Sequence, residues 1–123
     1  MRPVLLAAAL GVAPAISAYA QDAVAVDPKH YKVELENDQV RVLRIRYGPG
    51  EKSVRHQHPA SVAVFLTDGQ VKFTTADGKS EEATVKAGST MWGDRDTHVP
   101  ENVGAKPFEL ILVELKGKAM PAK

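Results

Sequence analysis

Apolar and polar residues trade places with a short period along most of the chain. Residues 31–36 alternate apolar with charged positions, Asn37-Asp38 supplies a turn, and residues 39–47 form a second run rich in Val, Ile and Arg. The alternation slips at Val42-Leu43, which predicts a β-bulge there. Gly48-Pro49-Gly50 breaks the chain before an extended segment over 53–58. Residues 62–67 read as a continuous apolar strand ended by Asp68-Gly69, a preferred two-residue hairpin turn, and Asp77-Gly78 is a second such turn. Further strands are expected over 71–75, 81–86, 90–92, 97–103 and 108–115, the last bounded by Pro107 and Gly117. No stretch after residue 20 carries a helical stripe. Short strands at near-regular spacing with turns between them predict an all-β sandwich or barrel in a single domain.

The two ends break this pattern. Arg2 is the only charge before an apolar run from Val4 to Ile16, and Ser17, Ala18, Tyr19 and Ala20 then supply small residues where a signal peptidase reads. Residues 1–20 therefore read as a secretory signal peptide cleaved between Ala20 and Gln21. A membrane anchor needs roughly 20 uninterrupted apolar residues, and Gly11 and Pro14 interrupt a shorter run. The expected location is periplasmic or secreted, with no membrane attachment after cleavage. Residues 21–30 are a polar lead, 31–116 the barrel, and 117–123 a flexible tail. The chain has 123 residues and no cysteine, which removes disulfide scaffolds, thiolate metal sites and cysteine nucleophiles together. Any metal must sit on nitrogen and oxygen. A net charge of +1 with interspersed signs offers no footprint for nucleic acid.

Three histidines carry the candidate chemistry. His56 and His58 are two apart on a strand and so project from one face. Spacing alone fits either a solvated edge or a shared metal ion. The context is more specific. Gly50, five residues, His56, one residue, His58 and then Gly69 resemble the first motif of the cupin superfamily, G(X)5HXH(X)3–4E(X)6G. Gly88 to Asn102 resembles the second, G(X)5PXG(X)2H(X)3N, with His98 and Asn102 keeping its ending. The chain is thus similar to small single-domain bacterial cupins, including stand-alone forms from small-molecule catabolic operons such as those of β-alanine breakdown. The resemblance implies an antiparallel jelly-roll barrel whose mouth holds one divalent transition metal on His56, His58 and His98. Zinc, copper, iron, manganese and nickel all remain open, although nitrogen sites hold copper and zinc more tightly than manganese or ferrous iron. Proton competition with ordinary imidazoles would weaken binding between roughly pH 7 and pH 5.

The departures from the motifs matter as much. The motif glutamate falls on Val62, which cannot ligate. Asp94 and Asp96 replace the usual Pro and Gly, and the stretch before His98 is one residue shorter, so the loop leading to the third ligand must be rebuilt. Three neutral imidazoles leave the full charge of a divalent ion uncompensated. At about 4 Å and an effective dielectric near 20, one extra unit charge is worth on the order of 4 kcal/mol before desolvation, which favours a small anionic ligand. Three facial ligands also leave room for a chelating substrate with dioxygen or water.

The resulting expectation is an exported metal-binding cupin, either a dioxygenase-like oxidoreductase acting on a small anionic or chelating substrate or a non-catalytic ligand- or metal-binding protein. An empty barrel whose histidines merely pack is a third reading, and there is room for a homodimer. No P-loop, nucleophile elbow or HExxH occurs. Among other polar residues, Gln57 faces away from its histidine neighbours, His30 is expected to be exposed, Trp92 to pack in the core, and Arg44 and Arg46 to share an outer face. Glu101 or Asn102 would be a source of a compensating oxygen near the ion.

Overall fold

A computed structural model describes residues 21–117. After a single-turn helix, α1 (Ala23–Val26), come β1 (Tyr31–Glu36), β2 (Val40–Tyr47), β3 (His56–His58), β4 (Ser61–Phe65), β5 (Gly69–Thr75), β6 (Ser80–Val85), β7 (Thr90–Gly93), β8 (Asp96–Asn102) and β9 (Phe108–Leu115). They form two antiparallel sheets, of five strands in the order β1-β2-β9-β4-β7 and of four in the order β3-β8-β5-β6. This is the antiparallel jelly roll that the strand pattern and motifs imply. The expected signal peptide and most of the tail lie outside the described residues.

The core comes from strict alternation on the two central strands of the larger sheet. Leu43, Ile45 and Tyr47 of β2 point inward beside Phe108, Leu110 and Leu112 of β9, and β4 adds Ala63 and Phe65. Leu43 is fully buried, so its truncation to alanine carries the usual core cost of about 2–5 kcal/mol. From the smaller sheet, Val71 and Val85 close the layer. Gly69, at the start of β5, is where the backbone passes the Phe108 ring so closely that an added Cβ would run into it.

Several expectations need correction. The irregularity opposite Val42-Leu43 is real, but the extra residue is Glu34 on β1, because Val33 pairs with Leu43 and Leu35 with Val42. Asp68-Gly69 does not close a hairpin: β4 and β5 lie in different sheets, and the turn carries the chain between them. Asp77-Gly78 does close one between β5 and β6. Its loop has three residues, with Thr75 and Lys79 still bonded and Gly78 at φ +86°. The polar lead contains α1, capped by Asp22 and tucked against the barrel through buried Ala23. Finally, β4 faces the other way from the motif-based reading, for Ser61, Ala63 and Phe65 point inward and Val62 points out.

Candidate metal centre

The short strand β3 pairs with β8 so that His56 sits directly opposite His98, and His58 follows two residues on along the same inner face. Pairing register thus delivers all three imidazoles to one spot inside the barrel mouth. Ring centroids are 4.7 Å apart for His56 and His58, 4.9 Å for His56 and His98, and 5.3 Å for His58 and His98. One ring nitrogen from each lies within 4.8 Å of the others. The shortened loop before His98 therefore does not turn that side chain outward.

Each ring is held by its δ nitrogen. His56 Nδ1 donates to the Val54 carbonyl at 2.7 Å and lies 3.2 Å from Ser53 Oγ. His58 Nδ1 donates to Glu114 Oε2 at 2.6 Å, and His98 Nδ1 is 3.3 Å from Asp96 Oδ2. Carbonyl and carboxylate acceptors keep the proton on Nδ1 and leave the Nε2 lone pair for another partner. On His98 that nitrogen is buried and has no hydrogen-bond partner among the described residues. On His56 it meets only the Tyr31 hydroxyl, at 3.1 Å.

Burial disfavours the charged form of two of the rings. Desolvation, reinforced by neighbouring His58 and His98, lowers the His56 pKa to about 3. Desolvation and His58 lower that of His98 to about 4, with Asp96 working weakly against them. Three pre-oriented imidazoles with an orphaned nitrogen among them fit a first-row transition ion, which takes nitrogen donors readily, and not calcium or magnesium, which take oxygen.

Around this centre lie groups that sequence reasoning missed. Glu114 is almost fully buried and joins His58 to Arg41, whose Nε donates to Oε1 at 2.7 Å; Arg41 in turn grips Asp22, the N-cap of α1. Burial works against the charge on Arg41, but Asp22 and Glu114 more than offset it and raise its pKa. A second buried chain runs from His56 through Ser53 to Asp27, whose Oδ2 accepts from Ser53 Oγ at 2.6 Å and from His30 Nδ1 at 2.7 Å. His30, expected at the surface, is buried and stacks on Tyr47 with ring centroids 4.4 Å apart.

The remaining candidates stand apart. Trp92 is 55% exposed, on the outer face, with its indole N–H donated to Asp94 at 2.8 Å, so it is neither core nor part of the centre. Asn102 is a clamp for the backbone, donating to the carbonyls of Tyr47, Gly48 and Lys106 and accepting from Gly104 N–H, and supplies no oxygen to the histidines. Arg44 faces outward as expected, paired with Glu34 and Glu109. The hollows lined by Lys106 and Asp68, of about 530 and 390 Å³, touch none of the three histidines.

Fold and site together define a double-stranded β-helix barrel with a three-histidine cluster at its mouth. The cupin domain family matches residues 43–114, and the chain belongs to that family. Solved structures agree. A cupin domain from Bordetella pertussis Tohama I superposes with a TM-score of 0.66 at 25% identity, covering 71% of this chain and 92% of that one. An uncharacterized conserved protein with a double-stranded β-helix domain from Klebsiella pneumoniae gives 0.59 at 24% identity, over 73% and 78% of the two chains. An RmlC-like cupin family protein from Methanocaldococcus jannaschii gives 0.55 at 18%, over 72% and 83%. No curated protein matches the chain in sequence.

Proposed function

We propose that this chain is an exported cupin that binds one transition metal at His56, His58 and His98 and uses it as an oxidoreductase, dioxygenase-like in chemistry, on a small anionic or chelating compound. The observation that carries this reading is the orphaned, buried Nε2 of His98 among three rings whose δ nitrogens are already tied down. Of this donor set only the His56 nitrogen has another hydrogen-bond partner among the described residues, the Tyr31 hydroxyl. When bound, the ion would supply Lewis acidity and, if redox-active, electron exchange with dioxygen.

The chain's own residues do the rest. Val54, Glu114 and Asp96 hold the δ nitrogens of the three rings, and the Tyr31 hydroxyl, bonded to Tyr47, lies against the ligand nitrogen of His56 and would give way to an ion there. No carboxylate oxygen faces the cluster from β4, where the inward positions are Ser61 and Ala63, so an ion there keeps its charge for an anionic ligand. Export rests on the apolar run Val4–Ile16 followed by small residues.

Metal content of protein purified from its native compartment tests the first half. One transition ion per chain is expected, and it should be lost in His58→Ala; metal retained by that variant would overturn the assignment. Oxygen uptake with a panel of small carboxylates and β-dicarbonyls tests the second. Ligand binding to the metal-loaded protein with no uptake would replace the oxidoreductase with a periplasmic binding protein.

A further inference from the structure

Only one residue of β1 is buried, and its side chain reaches the histidine cluster. Tyr31 opens the strand at 2% exposure, while the five residues after it are exposed. Its backbone N–H donates to the Asp27 carbonyl at 3.2 Å, and it pairs with Ile45 of β2. Its ring centroid lies 4.9 Å from that of His56 and 5.6 Å from that of His58. Its hydroxyl meets both His56 Nε2, at 3.1 Å, and the Tyr47 hydroxyl. The direction of this chain of hydrogen bonds follows from its protons. The neutral His56 ring carries one proton, on the Nδ1 that donates to the Val54 carbonyl, so Nε2 can only accept. Tyr31 must then donate to Nε2, and Tyr47 must donate to Tyr31.

On the reading that His56, His58 and His98 hold an ion, the ion takes the Nε2 lone pair that Tyr31 uses in its absence. The Tyr31 oxygen still accepts from Tyr47, so the displaced proton cannot turn back along the chain and is left without an acceptor. We propose that Tyr31 is a specificity-determining residue of the metal centre, its hydroxyl donating to an oxygen anion, a carboxylate or an enolate, that binds the ion beside His56. The selectivity follows from what the freed donor lacks. A buried hydroxyl without a partner is costly, and a ligand with a lone pair to spare next to the ion removes that cost. A carboxylate brings a second oxygen, and an enolate oxygen has further lone pairs of its own. Imidazole, by contrast, uses its one lone pair on the ion and has none for the phenol. A hydrogen bond to a charged acceptor is also of the stronger kind. The chain's own acids do not satisfy this hydroxyl. Glu114 and Asp96 lie at the δ nitrogens of His58 and His98, and the inward residues of β4 beside the barrel mouth are Ser61 and Ala63.

The test loads the full chain, purified as the cell processes it, with cobalt(II), whose visible spectrum reports its ligands, and titrates it separately with acetate and imidazole. Tyr31→Phe should bind acetate about 10-fold or more weakly, the loss of a hydrogen bond to a charged group, with imidazole affinity unchanged. The same variant should hold cobalt(II) about 5-fold more tightly, because no hydroxyl competes for His56 Nε2. Should Tyr31→Phe fold poorly, the wild-type protein loaded with spectrally silent zinc answers the same question: its near-ultraviolet tyrosine absorption should shift to the red with acetate and not with imidazole. Equal acetate affinity in wild type and Tyr31→Phe, or no tyrosine shift with acetate, would overturn the proposal and leave the metal assignment standing. A tyrosinate charge-transfer band in the copper(II)-loaded protein, lost in Tyr31→Phe, would also overturn it by making the phenol a ligand. A wild-type chain that takes up neither cobalt nor zinc would overturn both.

Discussion

Glu114→Gln tests the metal centre through a residue that touches no ion. The wild-type carboxylate accepts from His58 Nδ1 at 2.6 Å with one oxygen and from Arg41 at 2.7 Å with the other, at 2% side-chain exposure. Glutamine keeps the shape but has one acceptor oxygen and one amide donor. If the amide N–H faces His58, the ring moves its proton to Nε2, the nitrogen needed for the ion. If it faces Arg41, a buried cation meets a donor. Losing such a ring-orienting acceptor typically costs 10- to 100-fold in metal affinity, about 1.4 to 2.7 kcal/mol. Breaking a buried pair costs about 3–5 kcal/mol; because Asp22 still balances Arg41, the lower end applies. At about 4–8 °C per kcal/mol for a domain of this size, the apo melting temperature should fall by about 12 to 24 °C. Calorimetric metal titration and thermal unfolding of the apo form read both quantities. The control is Glu109→Gln, which loosens the half-exposed Arg44 pair and should change stability by no more than about 1 kcal/mol and metal affinity not at all. A folded Glu114→Gln protein with wild-type metal affinity would refute the role assigned to this carboxylate.

Acid should destabilise the apo protein in a defined window. His56 and His98 titrate near 3 and 4 in the folded chain but near 6.5 when unfolded. Their contribution is therefore complete above about pH 6.5 and is lost as pH falls, to about 4 for His98 and 3 for His56, at up to about 1.4 kcal/mol per pH unit for each ring. Urea unfolding at intervals across that range checks it, and a flat profile from pH 6.5 to 4 would contradict the burial argument. The same shifts move proton competition at these two rings below the pH 7 to 5 interval expected of ordinary imidazoles. The inverted register of β4 makes a further test: Ala63→Glu should point a carboxylate into the barrel, tightening a divalent metal and costing the apo form on the order of 2 to 4 kcal/mol. Val62→Glu, on the outer face, should leave metal affinity unchanged, and the opposite pair of titration results would restore the motif-based register.

The strands were legible because their boundaries carry turn chemistry, and β1 and β9 run over the expected residues. The HXH pair was legible because period two leaves no other option for its two side chains. What escaped was which face each strand turns inward. Residues 62–66 are uninterruptedly apolar, so alternation has no contrast there, and a one-residue slip exchanges the faces unseen. Arg41 and Glu114 were misleading in the opposite sense: both fall in phase with core residues of β2 and β9, and only their cross-strand pairing shows that they satisfy each other. A charge in apolar phase on two strands was the available signal, together with acidic Asp22 and Asp27 bracketing what reads as a polar lead. The failure on β4 has a plain physical origin. A strand that is apolar on both sides has two faces to bury, whereas the barrel has one interior. The ambiguity at Val62 thus reflects the molecule itself, because the outward row that obscured the register carries Val42, Val113 and Val62 side by side across three strands.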